Sequence, residues 1–141
     1  MIIVQLDSNM HSVFFLHYHL IFTTKYRRDV FDDMISHRAM EIFIHIASNY
    51  NITLEEWNHD VDHVHILFSS HPNSELCKFI NAYKSASSRL LKKEFPQIRE
   101  KLWKQQLWSQ SYCLISVGDA PLEIIKQYIK TQGKPGEQHD D

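Results

Sequence analysis

The chain has 141 residues, of which 43% are apolar and 23% charged, the usage of an ordinary globular domain rather than of a fibrous or disordered chain. Its 15 basic and 17 acidic residues give a net charge of −2, which taken alone argues against a nucleic-acid partner. Only three glycines are present, so the phosphate-binding loops of NAD- and ATP-dependent enzymes are excluded, whereas ten histidines direct attention to metal or proton chemistry.

The first half of the chain predicts a strand, a helix and a hairpin. Residues 12–24 are dense in aromatic and β-branched side chains, which is typical of a long strand. From Asp29 to about Tyr50, apolar residues recur at three- and four-residue steps and predict a helix. Residues 52–58 and 63–70 predict two further strands, and the HDVD link between them is short enough for an antiparallel hairpin.

The second half predicts another helix, a connection and a fourth strand. We expect Ser74 to cap a helix that continues to about Phe95, where a proline follows. Residues 97–107 predict a loop or a short helical turn, and residues 108–117 predict a strand.

A last helix is expected to begin at Asp119 and to end at Gly133. We therefore predict one domain over residues 1–141, with an ordered core at about 12–133 and a polar tail at 134–141. The order β-α-β-β-α-β followed by a helix predicts the α+β class and the ferredoxin-like arrangement, an antiparallel sheet with helices on one face. The other sheet face is expected to be open to a ligand or a partner, and this fold alone does not reveal function.

The cysteines and the chain termini indicate the cellular compartment. Cys77 and Cys113 form no CxxC motif, so a cysteine zinc site has no support, and free thiols in a reducing cytosol are a simpler interpretation than a disulfide. The sequence has no secretory signal pattern and no apolar run of about 18 residues. We expect a soluble, cytoplasmic protein without a membrane partner.

Charge is strongly segregated along the chain. The stretch from Asp29 to Asp62 carries −7, and the stretch from Lys78 to Lys104 carries +6. Such stretches are either solvated faces or, for the basic one, a surface for phosphates. The candidate phosphate contacts are Lys84, Arg89, Lys25, Arg27 and Arg28.

Two histidine pairs have the spacing of metal ligands on a strand. His63 and His65 project to one side of their strand because side chains alternate, so both rings can reach one cation. His17 and His19 have the same spacing in the first strand. Paired surface histidines also occur by chance, and the spacing alone does not rank the two pairs.

The last helix adds two polar residues that share one face. Tyr128 and Gln132 are four positions apart and therefore lie one helical turn from each other. Taken singly, Tyr128 is typical of a partly buried core aromatic, and Gln132 is typical of a surface residue near the end of a helix.

Five segments in order resemble TnpA, the single-tyrosine HUH transposase family of small insertion sequences. The resemblance extends from about His17 to Gly133, and the ordered combination is far more specific than any single segment. HUH denotes histidine, a hydrophobic residue and histidine, and residues 63–65 match this motif. The sequence departs from the family at Val61, where the family usually has proline. The segments are YHLIFTTKYR, DHVHILF, KSASSRLLKKEFP, LWSQSYCLISVG and YIKTQ.

The resemblance implies a set of site residues and a cofactor. It implies that Tyr128 is the nucleophile and that Gln132 is the third metal ligand beside His63 and His65. His19 rather than His17 matches the YHL segment of the family, which favours His63 and His65 as the ligand pair and leaves the role of His17 open. The implied ion is Mg²⁺, with Mn²⁺ also suited to imidazole ligands, and no nucleotide cofactor is implied.

The resemblance also implies the reaction and the partners. The expected substrate is single-stranded DNA with hairpins at the ends of an insertion sequence, cleaved and rejoined through a 5′-phosphotyrosine by a homodimer. Three alternatives stay open: a ferredoxin-like module that only binds single-stranded nucleic acid, a metal-dependent hydrolase that uses water, and a domesticated endonuclease of the same family. The RNP1 pattern of RNA-binding domains is absent, since no glycine precedes Gly118.

Overall fold

The computed structural model describes residues 7–8, 13–117 and 128–132. In chain order its strands and helices are β1 Asp7–Ser8, β2 Val13–Phe14, β3 His17–Thr23, α1 Asp33–Ala47, β4 Thr53–His59, β5 His63–Ser69, α2 Leu76–Glu94 and β6 Cys113–Ser116. Residues 128–131 are helical as well. The predictions for Asp119, Gly133 and the tail lie outside the described residues.

Four of these strands form one antiparallel sheet in the order β4-β5-β3-β6, while β1 and β2 pair separately. Strands β3 and β4 run parallel with β5 between them, and α1 makes the crossover from β3 to β4. This is the split arrangement that the element order predicts, so the ferredoxin-like, α+β prediction is confirmed.

The core lies between one face of the sheet and helices α1 and α2. Leu20, Phe22, Val64, Ile66 and Phe68 alternate along β3 and β5 and are buried on this face. From the helices, the buried side chains that join the same core include Ile35, Ala39, Ile42, Phe43, Phe79, Ile80, Tyr83 and Leu91.

Both helices begin later than the sequence pattern predicts. Helix α1 begins at Asp33 rather than Asp29, because the backbone amides of Val30 and Phe31 both donate to the carbonyl of Val61. Asp32 caps the helix through a carboxylate oxygen 2.8 Å from the amide nitrogen of Ile35.

The prediction that Ser74 caps α2 is wrong. The residue before the helix is Glu75, which makes no side-chain capping bond. The hydroxyl of Ser74 instead donates to the carbonyl of Tyr50 at 2.7 Å and accepts from the amide of His71 at 3.1 Å. Ser74 therefore joins two connections rather than starting a helix.

The first and last predicted strands are shorter than expected. The strand predicted over 12–24 is interrupted at Phe15 and Leu16, where the Leu16 carbonyl turns to the amide of Ser70. The fourth strand covers only the end of its predicted range, although Trp108 forms an isolated antiparallel bridge with Thr24. Short 3₁₀ helices at Pro96–Lys101 and Trp103–Gln105 confirm the predicted helical turn before that strand.

In the part of the chain that the structure describes, no helix combines the length and the apolar character needed to cross a bilayer.

Candidate active site on the second sheet face

Both histidine pairs lie on the sheet face that α1 and α2 leave uncovered. His63 is paired with Thr23 and His65 with Ile21, and directly paired residues share a face. Val64, between the two histidines, points into the core on the other side. The register of β3 with β5 therefore places the two histidine pairs on one surface.

Asp62 holds the ring of His63. Nδ1 of His63 donates to Oδ1 of Asp62 at 2.8 Å, which leaves Nε2 with the lone pair that a metal ion would use. Oδ2 of the same carboxylate accepts from Nε of Arg27 at 2.9 Å. Burial raises the pKa of Asp62, but the bond from His63 and the charge of Arg27 outweigh burial, so the net pKa lies below its usual value.

His65 faces the other histidine pair. Its Nε2 lies 2.9 Å from Nδ1 of His19, so one ring donates and the other accepts. Burial and the neighbouring His19 and His63 lower the pKa of His65, which keeps the ring neutral at neutral pH. A neutral imidazole is the form that binds a metal ion.

His17 lies at the far end of the same strands. It is paired with Ser69, six residues along β5 from His63, or about 20 Å at the rise of a strand. Its Nδ1 contacts the carboxylate of Glu55, and its ring stacks on Phe15 with centroids 3.9 Å apart. These contacts place His17 away from the histidines that the sequence favours as ligands.

The segment that carries Tyr128 covers part of the second sheet face. Tyr128 and Ile129 pack on Ile21 and Cys113, so this face is less open than the sequence predicts. The hydroxyl of Tyr128 lies 3.2 Å from Oγ of Ser111, in the approach to β6. Tyr128 is therefore on the same side of the sheet as His63 and His65.

Gln132 is buried rather than at the surface, with 8% of the residue exposed. Its Oε1 accepts from the hydroxyls of Thr23, Ser109 and Ser111, each at 3.2 Å. Because Thr23 is the partner of His63 in the sheet, the amide oxygen lies at the end of β3 where the metal-ligand pair begins.

The three proposed metal ligands fit a divalent cation by the chemistry of their donors. His63 offers Nε2. Gln132 offers an amide oxygen that already accepts from three hydroxyls, so coordination of a cation requires that it give up at least one of these bonds. Nε2 of His65 is engaged with His19, so a cation held by both rings requires either Nδ1 of His65 or rotation of one of the two rings. Among the described residues no three or more His, Cys, Asp or Glu side chains gather around one point, and the proposed set, with two histidines and an amide, is not of that kind.

The five candidate phosphate contacts do not form a single patch. Arg27 is bound to Asp62, and the ammonium of Lys84 donates to the carbonyls of Ser109 and Gln110 at 2.7 and 3.0 Å. Burial, then the charge of Lys25, lowers the pKa of Lys84. Lys84 therefore holds the segment that supplies the two serines beside Gln132.

The other candidates differ in exposure. Lys25 is buried at the end of β3, and Arg28 next to it is partly buried. Arg89 is exposed on α2 and borders a cavity with Arg38 and His45, so it belongs to the helix layer on the opposite side of the sheet.

Four residues of this site were not identified from the sequence: Thr23, Asp62, Ser109 and Ser111. Thr23, Ser109 and Ser111 act through single hydroxyls on a distant or non-neighbouring residue, and Asp62 acts on the adjacent His63, and none of these contacts leaves a periodic signal. The sole sequence cue was that they fall inside the segments that carry the family resemblance.

Comparison with known proteins points to one family. A sequence profile described as "Transposase IS200 like" matches residues 12–132. The ISDra2 transposase TnpA of Deinococcus radiodurans is 35% identical over 129 residues, which is 92% of each chain, and the transposase for insertion sequence element IS200 of Salmonella typhimurium is 28% identical over 93% of this chain and 88% of its own. A crystal structure of a Deinococcus radiodurans R1 protein, provisionally described as a transposase, superposes with a TM-score of 0.82 at 32% identity, covering 91% of this chain and 98% of that one.

Proposed function

The chain belongs to the family of IS200-like transposases, and we propose that it cleaves and rejoins single-stranded DNA at the ends of an insertion sequence through a covalent bond to Tyr128. The observation that carries this proposal is the position of Tyr128 and Gln132 on the same sheet face as His63 and His65. A nucleophile and three ligand side chains on one surface suit phosphoryl transfer.

The reaction is a transesterification. The phenolic oxygen of Tyr128 attacks phosphorus and gives up its proton, the bond to the 3′ oxygen breaks, and that oxygen is released as a 3′-hydroxyl. The products are a 5′-phosphotyrosine and a free 3′ end. Attack by the 3′-hydroxyl of another DNA segment reverses the step, so no ATP is consumed. This agrees with the absence of a glycine-rich nucleotide loop.

The residues around the nucleophile orient it and the cation ligands. Ser111 is within hydrogen-bonding distance of the Tyr128 hydroxyl and also donates to Gln132, so one serine fixes both groups. When bound by His63, His65 and Gln132, Mg²⁺ or Mn²⁺ would polarise the scissile phosphate and offset the charge that develops on it.

The test is the covalent adduct between protein and DNA. End-labelled single-stranded DNA from an element end is incubated with protein and Mg²⁺ and resolved on a denaturing gel. Tyr128→Phe should abolish the adduct and leave DNA binding intact, because only the hydroxyl is removed. Tyr112→Phe is the matched control, since its hydroxyl lies at 3.9 Å from the Cys77 thiol and takes no part in the proposed site.

Adduct at the wild-type level in Tyr128→Phe would refute the assignment of the nucleophile. DNA cleavage without any adduct would favour a hydrolase that uses water, and binding without cleavage would favour a binding module.

We also propose a homodimer that recognises DNA hairpins at the element ends and acts in the cytoplasm. Light scattering at micromolar concentration should give twice the chain mass of 16.8 kDa. A strict monomer that still forms the adduct would show that one chain supplies the whole site.

A further inference from the structure

Two strained turns meet beside the proposed histidine ligands. Tyr26 and Arg27 have φ angles of 55° and 52°, and Lys104 and Gln105 have φ angles of 51° and 61°. Among the described residues Asn51 is the one other non-glycine residue with positive φ. Such backbone persists only where its surroundings hold it, and it is concentrated at binding and catalytic sites.

The backbone holds the two turns side by side. The amide of Lys25 donates to the carbonyl of Leu107 at 2.9 Å, and the amide of Ser109 donates to the carbonyl of Thr23 at 2.9 Å. The turns at 25–27 and 103–105 therefore lie at one end of an antiparallel pair that continues from β3.

An aromatic surface is exposed at this junction. Trp103 is 39% exposed, and its ring meets Tyr26 edge to face with centroids 5.4 Å apart. The ammonium of Lys104 lies 4.5 Å from the centre of the indole. The other two tryptophans donate to serines in the core, Trp57 to Ser36 and Trp108 to Ser87, so Trp103 differs from both in what it offers to solvent.

A basic cavity is lined by residues that lie close to the aromatic pair in the chain. It has a volume of about 480 Å³ and is lined by Arg27, Arg28 and Lys101 with one carboxylate, Asp29. Nε of Arg28 is buried and has no hydrogen-bond partner among the residues that the structure describes. Arg27 is already paired with Asp62, but Arg28 and Lys101, with an unsatisfied guanidinium nitrogen on Arg28, suit a phosphate group.

We propose that the two turns bind one unpaired nucleotide of the DNA strand, with its base stacked on Trp103 and its phosphate in the basic cavity. Stacking on an aromatic ring beside a cationic groove is how proteins hold single strands, and it accepts any base. The cation–π contact of an exposed lysine is weak, so a base can displace Lys104 from the indole and the ammonium can turn to a phosphate.

The position of this site gives it a role in the proposed reaction, on which the inference rests. Arg27 lines the cavity and also binds Asp62, which holds His63. A nucleotide in the cavity thus contacts Arg27, and Arg27 binds the Asp62 carboxylate that orients His63. We infer that it lies close to the scissile phosphate in the bound strand and helps to fix the register of the strand.

The first experiment measures affinity for a labelled, mixed-sequence oligodeoxynucleotide of about 20 residues. All proteins carry Tyr128→Phe, so that cleavage does not disturb the equilibrium. Trp103→Ala should weaken binding about tenfold, and Trp103→Phe should recover most of the loss because a ring remains. Ile44→Ala is the control: Ile44 is 48% exposed on α1, in the helix layer, and its removal should leave the affinity unchanged.

The second experiment separates the phosphate contact from stacking. Lys101→Ala should reduce the slope of log affinity against log salt by about 0.7, the value for one phosphate contact on a single strand, whereas Trp103→Ala should leave the slope unchanged. Lys93→Ala, an exposed lysine on α2, is the matched control. Binding to a blunt duplex should be insensitive to Trp103→Ala, because paired bases are not available for stacking.

Wild-type affinity in both Trp103→Ala and Lys101→Ala would overturn this inference. If the wild type still forms the Tyr128 adduct in that case, the proposed function stands and only the nucleotide site fails. If the Trp103 effect is present and no adduct forms with the wild type, the nucleotide site stands and the proposed function fails. Circular dichroism of each variant establishes that a lost affinity is not a lost fold.

Discussion

At the scale of single residues, the geometry of the site depends on the hydrogen-bond partner of each polar atom. The ring of His63 is oriented by Asp62, whose other oxygen is held by Arg27. The amide oxygen of Gln132 is held by three hydroxyls. Orientation by such partners usually matters for metal affinity almost as much as the ligands themselves.

Asp62→Asn should weaken metal binding while the protein stays folded. An amide can no longer accept from Nδ1 of His63 with the strength of a carboxylate, and loss of such a partner typically costs about 10–100-fold in metal affinity. The measurement is the Mn²⁺ concentration that gives half-maximal adduct. Asp60→Asn is the control, since the Asp60 carboxylate accepts from the backbone amide of Val61. Asp60 bonds to His63 through main-chain atoms, which the substitution leaves in place.

The same carboxylate predicts a pH dependence of stability. The pKa of Asp62 is lower in the folded chain than its unfolded value near 4, so its contribution is fully present above that value and is lost as the pH falls through the folded pKa. The difference in melting temperature between wild type and Asp62→Asn should therefore shrink as the solution is acidified below about pH 4. A constant difference over that range would show that the charge of Asp62 contributes nothing to folding.

At the scale of elements, the central strands β3 and β5 each have one face for the core and another for the site. β5 alternates between core residues such as Val64 and the histidines beside it, so one strand serves both. α1 buries Phe43 against four other aromatic rings, those of Trp57, Phe68, Phe79 and Tyr83. The helix layer thus supports the sheet from behind, and α2 reaches the segment beside Gln132 through Lys84.

Phe43→Ala should destabilise the chain by about 3–5 kcal/mol, because it removes a fully buried ring and leaves a cavity. Met34 is on the same helix and is 71% exposed, so Met34→Ala should change stability by less than about 0.5 kcal/mol. Urea denaturation of both variants gives the comparison. Equal losses of stability in the two variants would show that burial of the Phe43 ring does not stabilise the chain.

At the scale of the whole molecule, the net charge misleads about the partner. The −2 total conceals an acidic stretch of −7 in and around α1 and a basic stretch of +6 in and around α2, which nearly cancel. The two helices share one layer and are joined by the pair Arg38–Glu94. The basic side chains that we propose as DNA contacts are few, and Arg27 and Arg28 among them lie just after the end of β3.

Salt dependence should distinguish the two sides of the molecule. Arg28→Ala should reduce the slope of log affinity against log salt by about 0.7 for single-stranded DNA, since it removes one phosphate contact at the end of β3. Arg89→Ala, on the helix layer, should leave the slope unchanged if the strand follows the histidine face. The reverse result would place the DNA on α2 and restore Arg89 as the phosphate contact that its sequence context suggests.

The sequence by itself determined the element order, the shared face of His63 and His65, and the helical spacing of Tyr128 and Gln132. These follow from local periodicity, which any chain of L-residues obeys. The family resemblance added their chemical roles as expectations. Element boundaries were less predictable: Ser74 has the chemistry of a cap, but its hydroxyl is taken by a carbonyl 24 residues away.

Only the tertiary structure decided which residues support the site. Arg27 and Asp62 are 35 positions apart, Thr23 and Gln132 are 109 apart, and Trp103 meets Tyr26 across most of the chain. No local pattern records such contacts, because their geometry follows from the register of β3 with β5 and from the return of the chain along β3 toward β6. The same register places His17 at the opposite end of β5 from His63, a separation that identical HxH spacing cannot reveal.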